Sequence, residues 1–316
     1  LVYYAAGVAV LASALKLGQW LAGDAPLPAA MGPEMIVFSF YPVYFIALLH
    51  YLDRQAKSAL EAFRPALGAT DAEYALIEYE LTTVPARGAW IAAALAIPLG
   101  FLFILPGESG SLSPRTLPLQ FLAVLYTIFT VGSFFVLAFH TVRQLRRVSQ
   151  LHAAARTINL LQPRPTYAFS RLTSRTAVGV LAFLYLDFLI NPPTEGVVLP
   201  YFTFTGVAVV LMVAAFLLPL LGMHQRLTRE KARLEAEVNH GVENAYQELQ
   251  RLVRAKAYAR VGDVEKALSS MLRMRDVIGR LSTWPWQPET LRGVLAAVGL
   301  PIALWLIQFG LSRLLG

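Results

Sequence analysis

Of the chain's 316 residues, 56% are hydrophobic and only 15% charged, where soluble domains carry roughly a quarter charged. This balance argues against an ordinary soluble domain, and the absence of cysteine excludes disulfides, thiolate metal sites and a cysteine nucleophile. The net charge of +7 is read first as membrane topology, with no nucleic-acid partner expected.

Seven apolar runs approach the roughly 20 residues that cross a bilayer. They cover residues 1–17, 35–52, 88–105, 117–140, 177–190, 197–221 and 291–311. Each is apolar on all sides and nearly free of charge, which is the pattern of a lipid-embedded helix. The expected fold is therefore all-α: a polytopic integral membrane protein of about seven transmembrane helices with a cytoplasmic helical-hairpin extension. The first run lacks a basic leading segment and is read as a retained helix, not a signal peptide.

The cations fix an expected orientation. Residues 53–87 hold four Lys or Arg, 142–176 hold seven and 222–292 hold thirteen, which is 24 of the 27 in the chain. The alternating segments hold only Arg115. By the positive-inside rule the N-terminus is cytoplasmic and the C-terminus extracytoplasmic. Anionic lipid headgroups are the expected partners of the basic segments.

Three units follow in chain order. Residues 1–221 form the first six crossings, with basic cytoplasmic segments at 53–87 and 142–176. In 53–87, Pro65 and Gly68 separate two short helices, Thr70 or Asp71 caps the second, and Tyr74, Ile77, Leu81 and Val84 share a face. The fourth crossing continues without Gly or Pro to Gln162, where Pro163 and Pro165 end it. Val142, Leu145, Val148, Leu151 or His152 and Ala155 recur at helical spacing along this extension.

Residues 222–283 form the hairpin. Val238, Val242, Ala245, Leu249 and Leu252 alternate spacings of four and three, a coiled-coil rhythm that fits an intramolecular helix pair or a zipper alike. Gly262 is expected to stop the first arm and Asp263 to cap the second. Leu268, Met271, Leu272, Arg275, Ile278 and Leu281 would face back across the pair.

Residues 284–316 carry the Trp/Pro cluster and the last crossing. Trp284 and Trp286, with Arg292 close by, read as an interfacial anchor, since Trp prefers the headgroup zone. Gln308 lies in an otherwise apolar helix and needs a polar partner. Asp187, Thr130 and Ser133 are the other candidate intramembrane polar or pore residues.

Seven crossings, prolonged fourth and sixth helices, and Gln308-Phe309 at the end of "IALWLIQF" resemble the seven-helix ion channels of the insect gustatory and odorant receptor type. The Thr-Tyr start of that terminal motif is absent. The resemblance implies a homo-oligomer, a tetramer with its last helix around a pore and its prolonged helices as a cytoplasmic anchor.

Two functions therefore compete. One is an oligomeric ion channel or channel-like receptor. The other is a non-conducting membrane scaffold or sensor that docks a partner on its basic cytoplasmic helices. A membrane carrier or enzyme is a third reading with little behind it: no GxSxG, Walker A, HExxH or paired intramembrane carboxylates occur, so no catalytic residue, metal or cofactor is expected.

Overall fold

In the computed structural model, the structure describes residues 2–23, 33–98, 117–155, 160, 165, 167–190, 198–286 and 289–299. All regular structure among them is helical. The elements are α1 (Val2–Leu21), α2 (Pro33–Leu67), α3 (Asp71–Thr82), α4 (Ala86–Ala94), α5 (Leu117–Ala154), α6 (Ala168–Ile190), α7 (Val198–Arg254) and α8 (Val261–Arg280). Residues 289–299 are also helical. Among the described residues, one helix, Pro118–Ala154, is long and apolar enough to cross a membrane, and Ala6–Leu21 is a shorter apolar helix.

Helices α2, α5 and α6 pack around an aromatic centre. The Phe45 ring lies 5.4 Å from Phe134 and 4.7 Å from Phe183, both edge-on, and Tyr41 meets Phe183 at 5.0 Å. Gly179 lets α6 approach α2 closely: a Cβ there would sit 2.6 Å from a Leu48 methyl. Its carbonyl takes the Tyr44 hydroxyl at 2.6 Å. The core continues down α2 through Leu52, Ala56, Leu60 and Phe63, with Val148, Phe169, Leu172, Met223 and Leu227 around them.

Segment 53–87 follows its expected outline in part: the first of the two short helices is instead the end of the 35-residue α2, which runs through Pro65. Helix α2 carries Pro65 inside its final turn, and Gly68 at φ +57° reverses the chain. Thr70 caps α3 in a capping box with Glu73. Leu81 is buried, and Tyr74, Ile77 and Val84 pack beside it.

Three helix ends differ from expectation. Helix α5 ends at Ala154, well short of Gln162. Arg226 of α7 donates to the carbonyls of His152, Ala153 and Ala155, which have no partners in the helical ladder at this end. Val142, expected on the inward stripe, is exposed. The first hairpin arm stops at Arg254, ahead of Gly262. Lys256 takes φ +55°, its N–H bonds Val253 and the Ala257 N–H bonds Leu252. This is a Schellman ending with lysine in the position usually given to glycine. Asp263 accordingly lies in the first turn of α8 and does not cap it.

The hairpin seam is as the spacing implies on one side. Val238, Val242, Ala245 and Leu249 are half-buried and Leu252 is buried. On α8, Val261, Val264, Leu268 and Met271 are half-buried and Ile278 is buried. Leu272 and Arg275 are exposed, contrary to expectation, because the seam follows the Val264–Leu268–Met271 line and both fall off it.

Candidate functional site

Where the apolar bundle meets the hairpin, a layer of buried polar side chains joins five helices. It begins with the end of the apolar part of α2. Asp53 follows Leu52 directly, so its carboxylate stays near the bundle instead of reaching water freely. His140, at the corresponding point of α5 and almost fully buried, lies with Nε2 2.7 Å from Asp53 Oδ1. One turn on, Gln144 donates through Nε2 to the same Asp53 oxygen at 3.3 Å and to the Leu81 carbonyl at 3.1 Å. Asp53, itself half-buried, thus accepts from two buried side chains of another helix, and buried polar groups require such partners.

The same stretch of α5 ties down the α3–α4 connection. Arg143 donates to the Thr83 carbonyl at 2.7 Å. Arg147 pairs with Glu80 at 2.6 Å, and Lys57 of α2 pairs with Glu78 at 2.7 Å. Exposed pairs of this kind contribute little individually. Together they join α3 and the connection after it to α2 and α5.

A second cluster fixes α5 to α7. His152 is fully buried between Phe63 and Phe169, whose rings lie 5.6 and 5.3 Å away. Its Nδ1 donates to the Pro219 carbonyl at 3.0 Å, while Nε2 has no hydrogen-bond partner among the described residues. Burial, and after it the Arg226 charge, pushes its pKa down to about 4 against the opposing effect of the Pro219 bond, so the ring is neutral.

A third cluster closes the hairpin base. Lys231 donates to the last carbonyls of α8, Gly279 at 2.6 Å and Leu281 at 2.9 Å. His224 donates to the Thr283 carbonyl at 3.0 Å and stacks on Trp284, with ring centroids 3.7 Å apart. Trp286 stacks in turn on Trp284 at 4.4 Å and meets Phe216 at 5.7 Å. The expected anchor residues Trp284 and Trp286 are therefore also the clasp that folds the chain back onto α7. Arg292, in the helical segment 289–299, is exposed.

Among the described residues, Asp187 lies on α6 and Thr130 and Ser133 lie on α5. The Asp187 carboxylate accepts from the Tyr41 hydroxyl at 2.8 Å, joining α6 to α2. Ser133 donates to the Phe129 carbonyl of its own helix at 2.8 Å, and Thr130 is buried on α5 nearby. Gln308 and Phe309 lie outside the described residues. The sequence reading missed the Asp53–His140–Gln144 group, the His152–Pro219 contact and Arg226. The available signal was polar residues at the ends of apolar runs, but their pairing spans 87 residues in one case and 67 in another. Among the described residues no group of His, Asp or Glu could hold a metal ion.

Neither protein-family models, nor curated proteins, nor solved structures gave a match to this chain.

Proposed function

We propose that the chain is a polytopic integral membrane protein whose cytoplasmic hairpin and basic inner layer form a docking and assembly platform. One observation carries the membrane part. Val10 on α1, Trp90 on α4, Phe121 on α5, Val210 on α7 and Leu295 in the terminal helical segment are each more than 60% exposed. Five helices of one bundle turn large apolar side chains outward, which lipid accommodates and water penalises. Seven crossings with the N-terminus cytoplasmic then follow from the apolar runs and the cation distribution.

The platform part rests on the hairpin. Helix α7 passes from its apolar half into the charged arm as one 57-residue helix. On α8, Met274 and Val277 are exposed away from the α7 seam, and Tyr246 and Tyr258 add to this uncovered apolar surface. Such a surface suits a second copy of the chain or a foreign helix.

An ion channel is the competing reading, and it depends on Gln308. Among the described residues Asp187 and Ser133 are engaged in hydrogen bonds, which favours the platform. Carbonate-washed membranes should retain the protein. Because the chain has no cysteine, single cysteines at Ser111 and Ser269 can be labelled with an impermeant maleimide. Only Ser111→Cys should react in intact cells; labelling of both from one side would overturn the topology. Liposome ion flux abolished by Gln308→Leu would favour the channel instead.

A further inference from the structure

An apolar cleft of about 460 Å³ runs between α5 and α7, with Val180 of α6 as its floor. Its length follows α5 from Phe134 to Ser149, and Ala138, Ala214 and Ala215 give it width. Alongside it, from Phe139 to Gln150, lies a second cleft of about 390 Å³ walled by Arg143, Arg146 and Arg147, and Val142 and Arg146 line both. Arg147 is balanced by Glu80, and Arg143 donates to a neutral carbonyl. Arg146 is exposed and forms no ion pair among the described residues. The shelf therefore carries two uncompensated guanidinium charges beside a greasy slot.

We infer that this paired cleft holds one anionic glycerophospholipid, with an acyl chain between α5 and α7 and its phosphate on Arg146 and Arg143. The inference rests on the membrane reading and adds a defined lipid site to it. The depth fits: Arg146 lies six residues past His140, roughly 9 Å along the helix and within the headgroup zone. The chemistry fits as well. Guanidinium groups stay charged and bind phosphate oxygens through paired N–H donors. A cleft of this volume lies in the range that encloses most of a small ligand. A neutral amphiphile would fill the slot but leave Arg146 without a counter-charge.

The test uses the full chain in detergent, exchanged with phosphatidylglycerol or with a diacylglycerol, which has the same acyl chains and no phosphate, and read by native mass spectrometry. One phosphatidylglycerol should stay bound, about tenfold more tightly than the diacylglycerol. Arg146→Gln, a surface change, should erase that preference. Ala215→Phe and Ala138→Leu, which fill the slot from opposite walls, should each release the lipid. Equal retention of the two lipids by the wild type, or undiminished retention in both slot-filling variants, overturns the lipid site. Loss of the protein from carbonate-washed membranes would instead overturn the membrane reading, so the two failures are distinct.

Discussion

His152 donates through Nδ1 to the carbonyl oxygen of Pro219, 3.0 Å away, and this bond links the end of α5 to the point where α7 leaves the apolar bundle. The ring is neutral because burial holds its pKa near 4, against an ordinary value of 6.5. In the unfolded chain the same ring takes a proton as pH falls through about 6.5. Between about 6.5 and 4 the unfolded state binds more protons, so stability falls as pH falls through that window and levels off below it. The shift corresponds to on the order of 3 kcal/mol. Thermal unfolding in detergent should show this acid slope, and His152→Gln, which keeps a donor but does not titrate, should flatten it.

Arg226 gathers the carbonyls of His152, Ala153 and Ala155, the last two at 2.9 Å. Arg226→Met retains the side chain's apolar stem and removes its donors. The expected cost is about 2 kcal/mol, since several charge-assisted bonds to a helix end are lost together. Hydrogen exchange should rise at residues 148–155 and remain unchanged in α3.

Asp53 is the shared acceptor of His140 and Gln144. Asp53→Ala leaves both with a buried donor and should destabilise by about 2 kcal/mol. Asp53→Asn retains an acceptor oxygen and should recover part of that loss. Equal melting temperatures for the two variants would show that the acceptor oxygen does not matter.

Lys256 holds φ +55° at the end of α7. A non-glycine residue there bears a steric penalty of about 1 kcal/mol that glycine does not. Lys256→Gly should raise the melting temperature slightly, and Lys256→Val should lower it. Circular dichroism of the purified protein reads both.

The sequence made the hairpin seam legible because Val238, Val242, Ala245, Leu249 and Leu252 depend only on local helical period. It also displayed Thr70 and Glu73, whose reciprocal cap is local. It did not display where α5 ends. Residues 139–162 contain no breaker, and the residue that takes up the carbonyls at the end is Arg226, more than 70 positions away in the chain. The end of the first hairpin arm is hidden for a related reason: Lys256 is an ordinary helix former, and nothing local marks it as the left-handed residue. Hydrophobicity alone places Leu272 on the seam, yet a helix meeting one neighbour buries a narrow line, and Met271 occupies that line. Asp187 was legible as a polar residue in an apolar helix, but its partner Tyr41 is 146 residues distant.

Helix α7 is one unbroken rod through Pro219 to Arg254. Beyond Pro219 it runs on for roughly 52 Å. The first turns of that stretch are clamped to the bundle: Met223 and Leu227 are buried in the core, and Arg226 holds the carbonyls at the end of α5. A change in the angle at which the rod leaves the bundle would therefore have to break those contacts before the hairpin could shift.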